Sequence, residues 1–280
     1  MSDIGESVLD FYGDLPFNMW HTADAEADAI RAHSVVDDIY PVLARELAPG
    51  KEVVEIGCGT GWLSNSIAHH HGCRVTGVDF NPVATARASR VASLLSSGAR
   101  FATSDIFEFF PERKAEVVVS IGVLHHTRDC HAAITHVVGN VLAPGGAFFL
   151  GLYHLHGRAP FLEHFAAMRN AGATLDEMRG EYARIHPAVA NDPVHLESWF
   201  RDQVLHPHET QHTLEEVIQL TAPLGLELDC SSVNNWRPFA DMSELFELET
   251  QMRTKGVTAI QDGRYYPGFF VSLFRKAAIT

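Results

Sequence analysis

The chain has 280 residues, 46% apolar and 20% charged, and its 21 Lys plus Arg against 35 Asp plus Glu give a net charge of −14. That balance describes a globular protein long enough to bury a full core and excludes collagen-like or disordered chains, while the lack of any basic run excludes nucleic acid and anionic membrane surfaces as expected partners. The acidic start Met1 to Glu6, the absence of an apolar run near the roughly 20 residues of a membrane helix, and four scattered cysteines without a C-x-x-C pair lead us to expect a cytoplasmic location.

In chain order, residues 1–40 form an N-terminal segment in which Phe11 to His21 is too aromatic for a loose tail. Residues 41–153 then alternate β-branched runs with helical stretches, the pattern of βαβ units and a parallel sheet. The predicted strands are Glu52 to Ile56, Arg74 to Asp79, Ala99 to Ser104, Glu116 to Ile121 and Ala147 to Tyr153. Between them lie predicted helices at Trp62 to His71, Pro82 to Ser96 and Cys130 to Val141, with Ala143-Pro144-Gly145-Gly146 read as a turn. Residues 154–212 change character: they hold eight of the 17 histidines and read as an inserted cap, with helices from Pro160 to Arg169 and Thr174 to His186. Thr213 and Glu216 form a capping box that should start a helix. The remainder, 213–280, closes the core with strands Gly225 to Val233 and Tyr266 to Phe274 around a second insertion at 234–264.

The first strand runs into Gly57-Cys58-Gly59-Thr60-Gly61, and the next strand ends in Asp79, twenty residues past Gly59. Glycines between a strand and a helix let backbone approach a ligand, and an acid at that distance suits ribose hydroxyls. Together with Ser104-Asp105-Ile106, Ser120 to His126 and Leu142 to Gly146, these pieces resemble the class I S-adenosylmethionine-dependent methyltransferases over most of residues 40–153. The resemblance implies an α/β Rossmann-like fold with a seven-stranded, mostly parallel sheet in the order 3-2-1-4-5-7-6 and helical cap insertions. It implies S-adenosylmethionine as cofactor, with Glu55, Gly57, Gly59 and Gly61 at its amino-acid end and Asp79 on the ribose. Phe80, Ser104, Asp105 and Ile106 would lie around the adenine, and Ser120 and Gly122 near the sulfonium. In similar enzymes an N-terminal segment covers the cofactor, which gives Tyr12 and Trp20 as further contacts.

Methyl transfer requires alignment of acceptor and methyl, exclusion of water and, for many acceptors, removal of a proton. Histidine has the fitting pKa. His126, His154 and His125 are therefore the candidate bases, with activity expected to rise near pH 6 to 7. His21, Tyr153, Arg158, His206, His208 and His212 are the candidate acceptor contacts, and Arg158, Arg184 and Arg201 could pair an anionic acceptor. The cluster His206, His208, Glu209 and His212 matches no standard zinc spacing, so no metal is expected and helix capping and pocket lining are preferred for it. The expected activity is methylation of a small biosynthetic intermediate at O, N or C. A non-methylating enzyme using the same cofactor, or a ligand-binding pseudoenzyme, stands as the alternative.

Overall fold

The structure is a computed structural model that describes residues 3–13 and 15–278. Four helices, α1 (Asp3–Tyr12), α2 (Ala23–Ala32), α3 (Val35–Ile39) and α4 (Pro41–Ala44), precede β1 (Glu52–Ile56). The core continues through α5 (Trp62–His71), β2 (Arg74–Asp79), α6 (Pro82–Leu95), β3 (Arg100–Thr103), β4 (Ala115–Ile121), α7 (Cys130–His136) and β5 (Leu142–Tyr153). Then come α8 (Leu155–Asn170), α9 (Leu175–Ile185), α10 (Pro193–Phe200), α11 (Leu214–Thr221), β6 (Leu226–Ser231), α12 (Met242–Gln261) and β7 (Phe269–Lys276).

The seven strands form one sheet in the order β3-β2-β1-β4-β5-β7-β6, as expected. Five strands run parallel, and β7 pairs antiparallel with both β5 and β6. The period of two divides each central strand between two cores. Val118 and Phe148 pack with Ile134 and Val137 on one face, while Val117, Val119 and Phe149 pack with Leu43 and Ile67 on the other. The C-terminal ends of the parallel strands open on one edge, where β1, β2 and β4 hand over to Gly57, Phe80 and Gly122.

Several boundaries differ from expectation, among them β6, which spans Leu226–Ser231 rather than Gly225 to Val233. Ala143 to Gly146 is not a turn before β5 but an irregularity within it, since β4 pairs Ala115 with Leu142 and then Val117 with Ala147. Helix α8 begins at Leu155 rather than Pro160, because the His154 ring accepts from the Gly157 N–H and caps it. Strand β7 starts at Phe269, since Pro267-Gly268 occupies the bend before it and the Gly268 carbonyl accepts from His154 N–H at 2.7 Å. The capping box of Thr213 and Glu216 is present at α11, and a second one, Thr174 with Glu177, starts α9.

Helices α8 to α10 enclose a core of their own around Phe161, Phe165, Tyr182, Ile185 and Phe200, and α12 packs along α8. This segment leaves the sheet after Tyr153 and returns beside it: His212 N–H donates to the Tyr153 carbonyl and Leu155 N–H to the His212 carbonyl, each at 2.9 Å. Among the described residues no helix is long and apolar enough to cross a membrane.

Candidate active site

A cavity of about 620 Å³ opens at the C-terminal edge of the sheet. One wall is the loop after β1. Gly59 has φ of +51°, and a Cβ there would meet nothing within 4 Å, so its backbone faces open space that a ligand can enter. Asp79 holds that loop from below, accepting from Gly59 N–H and Asn81 N–H at 2.9 Å each. Burial raises the Asp79 carboxyl above its usual range, and these N–H donors oppose the shift. Glu55, at the end of β1, accepts from the Ser64 hydroxyl at 2.5 Å, and burial pushes its carboxyl up to about 8. A buried acid that stays largely protonated suits a cationic partner, which would draw the proton off. The loop, Glu55 and Asp79 thus fit the amino-acid and ribose ends of S-adenosylmethionine. Phe80, Ser104, Asp105, Ile106 and Gly122 line the same space, together with Phe107 and Arg128.

The rest of the wall is assembled from distant parts of the chain. Gly5, Val8, Tyr12, Phe17 and Asn18 come from the N-terminal segment, Trp199, Asp202 and Gln203 from the segment after β5, and Tyr265 and Phe269 from the approach to β7. These groups are tied together. Tyr12 donates its hydroxyl to Asp202, Gln203 Nε2 donates to Tyr153 Oη and to Asp202 at 2.6 Å each, and Tyr265 donates to Gln203 Oε1 at 2.8 Å. Asp202 and Gln203 received no role from the sequence. They sit on a π-helical turn, Arg201–Leu205, where neither helical nor strand periodicity applies.

His126 is the one predicted base on the cavity wall. Its Nδ1–H donates to the His208 carbonyl at 2.8 Å, which leaves the lone pair on Nε2, an atom with no hydrogen-bond partner among the described residues. Burial lowers this imidazole to about 4, below the pH 6 to 7 of an ordinary histidine, so the ring is neutral at physiological pH. His206 stacks on it and is lowered to about 3, first by burial and then by His126.

Several candidates lie elsewhere. His154 is fully buried with Nε2 2.7 Å from Glu249 and Nδ1 spent on its cap, and His125 is fully buried with Nδ1 accepting from Tyr153 N–H, so neither reaches an acceptor. Arg158 is fully buried and saturated by Glu209 and Gln203; Arg184 pairs with Glu181, and Arg201 donates to the Phe11 carbonyl. None of the three lines the cavity. His21 pairs with Asp192 at 2.6 Å, His208 with the Thr127 carbonyl, and His212 with Thr210 and Glu216, and none of these histidines lines the cavity. Trp20 does not touch the cavity but stacks on Trp62 at 5.2 Å. Gly61 and Ser120 also lie outside the lining: a Cβ at Gly61 would come 2.6 Å from Ala88, so that glycine serves packing, and the Ser120 hydroxyl donates to the Ile56 carbonyl. Among the described residues the lining holds one Arg or Lys, Arg128, 3.8 Å from Asp105.

Comparison with known proteins places the chain. A family model described as a methyltransferase domain matches residues 27–209. A ubiquinone biosynthesis O-methyltransferase of Xanthomonas campestris is 31% identical over 152 residues, 53% of this chain and 62% of that protein. A 2-methyl-6-phytyl-1,4-hydroquinone methyltransferase of Synechocystis is 27% identical over 146 residues, 50% of this chain and 45% of that one. The match thus spans less than two thirds of either relative. Among solved structures, magnesium protoporphyrin IX methyltransferase of Synechocystis with bound S-adenosylmethionine covers 99% of both chains with a TM-score of 0.55 at 13% identity. A methyltransferase of Methanosarcina mazei covers 86% of this chain and 99% of its own with a TM-score of 0.53 at 19% identity. The match over more than half the residues, joined to the strand order and the loop around Gly59, makes this chain a member of the methyltransferase domain family, whose cofactor is S-adenosylmethionine.

Proposed function

We propose that this chain transfers a methyl group from S-adenosylmethionine to an uncharged, largely apolar small molecule whose acceptor atom gives up a proton to His126. When bound, the cofactor supplies an electrophilic methyl on a sulfonium. The protein holds the cofactor's amino-acid end at Glu55 and the loop around Gly59, and its ribose at Asp79. The observation that carries the reading is His126: its tautomer is set by the His208 carbonyl, and Nε2 is left with a lone pair at the cavity wall. A neutral imidazole needs no prior deprotonation, so the base is ready whenever the acceptor arrives.

The chemistry of the wall supports an uncharged acceptor. Tyr12, Phe17, Trp199, Tyr265 and Phe269 offer aromatic surface, while Asp202 and Glu55 are acids and the one lining Arg is beside Asp105. A carboxylate or phosphate would lose its hydration there without gaining a cation. The names of the quinol-directed relatives support phenolic hydroxyls as the first acceptors to try, in a biosynthetic setting. The test is to incubate the protein with labelled cofactor and matched pairs of phenols and aromatic carboxylates, and to weigh the products. Methylated phenols are expected. Turnover confined to carboxylates, or to tRNA or protein, would overturn the reading.

A further inference from the structure

Outside the cavity, three side chains converge where the chain returns from the segment after β5. His131 on the first turn of α7, His212 just before α11 and Glu216 on its first turn bring Nε2, Nδ1 and Oε1 within 4.8 Å of one another. Glu216 Oε1 lies 2.5 Å from His131 Nε2 and 3.1 Å from His212 Nδ1, so one carboxylate oxygen sits between two imidazole nitrogens. On the far side of the His212 ring the Thr210 hydroxyl lies 2.8 Å from Nε2. In the tautomer in which Nε2–H donates to that hydroxyl, the Nδ1 lone pair faces the cluster, the way a metal-ligating imidazole is held from behind.

We propose that His131, His212 and Glu216 bind one zinc ion, with water as the fourth ligand. Two imidazoles and one carboxylate suit a borderline ion such as zinc and disfavour calcium or magnesium, which seek oxygen. Two of the donors are already oriented from behind. Thr210 fixes the His212 ring, and Thr213 N–H, donating to Glu216 Oε2 at 3.3 Å, leaves Oε1 to face the two rings. His131 is the half-exposed member, now 2.5 Å from Oε1, and a small rotation would open that contact to the roughly 3.3 Å that two ligands 2.0 to 2.1 Å from a tetrahedral ion require. The ion would clamp α7 to the segment 208–213, whose His208 carbonyl holds His126.

Protein made without a histidine tag and stripped with a chelator would be titrated calorimetrically with zinc chloride, and with cobalt to read four-coordinate absorbance. One equivalent is expected, with affinity weakened tenfold or more in both His131→Gln and Glu216→Gln. His69→Ala, in the exposed histidine run of α5, should leave it unchanged. Circular dichroism would verify that the variants fold, and the wild-type titration decides independently of them. Absence of stoichiometric binding, or binding retained in both variants, would overturn the proposal.

Discussion

The imidazole of His206 lies over that of His126, ring centroids 3.7 Å apart and planes 31° from parallel. Burial lowers both imidazoles, and the neighbouring His126 lowers His206 further. The two rings are therefore neutral together, and the stack holds the plane of the candidate base.

For turnover, the sign follows from the lowered pKa. His126 is neutral and competent above about 4, so kcat should be flat from pH 8 to about 5 and fall as acid protonates the ring. His126→Ala should reduce kcat by about 10² to 10⁴ with cofactor affinity retained. A sigmoidal rise centred near pH 6.5 that persists in His126→Ala would assign the proton to another group.

Cofactor binding should release protons. The Glu55 carboxyl lies at about 8 in the free protein, and pairing with the cofactor's ammonium lowers it, so binding at pH 7 expels part of a proton and tightens as pH rises toward 8. Calorimetry in buffers of different ionisation enthalpy reads this directly. Glu55→Gln should bind more weakly and abolish the buffer dependence.

Conformational stability without cofactor should peak near pH 6 to 7, for two opposing reasons. His126, His186 and His206 are lowered to about 4, 4 and 3, so the stability of keeping them neutral is present above 6.5 and lost as pH falls through those values. Glu26 and Glu55 are raised to about 7 and 8, so their contribution is present below 4.5 and lost as pH climbs through 7 and 8. Differential scanning calorimetry across pH 4 to 9 should show Tm declining on both sides, and a monotonic curve would contradict the assignment.

Arg158 should matter for folding rather than for acceptor charge. Its guanidinium is fully buried, bidentate to Glu209 and bonded to Gln203, and lies 3.9 Å over the Tyr153 ring. Arg158→Ala strands the Glu209 carboxylate and should cost about 3 to 5 kcal/mol in denaturant unfolding. Arg184→Ala, on an exposed ion pair, should leave the unfolding midpoint nearly unchanged.

The sheet was legible because its strands are continuous apolar runs bounded by Gly and Asp, and β1 and β2 have the predicted limits. The capping box at Thr213 is a local signal and needed no tertiary context. What escaped depends on contacts. His154 looked like an acid–base residue at a strand end, yet Glu249 on α12, far along the chain, takes its Nε2. The arginines looked available because the sequence does not display partners such as Glu209 for Arg158. Asp202 and Gln203 became wall residues only through a π turn that carries no periodic signature. Of the three histidines, it is the one joined to a backbone carbonyl, His126, that keeps a free nitrogen at the cavity.

The paired backbone of Tyr153 and His212 means that the excursion carrying Trp199, Asp202 and Gln203 departs from and lands on the same spot. Its length is invisible to the sheet, since β5 is already committed to β7 across Ala147 to Tyr153 before the chain leaves. The excursion that carries these wall residues therefore leaves the pairing of the sheet untouched. A chimaera spliced at these two feet would graft another enzyme's acceptor wall onto this sheet without changing the register between Asp79, Glu55 and the loop they serve.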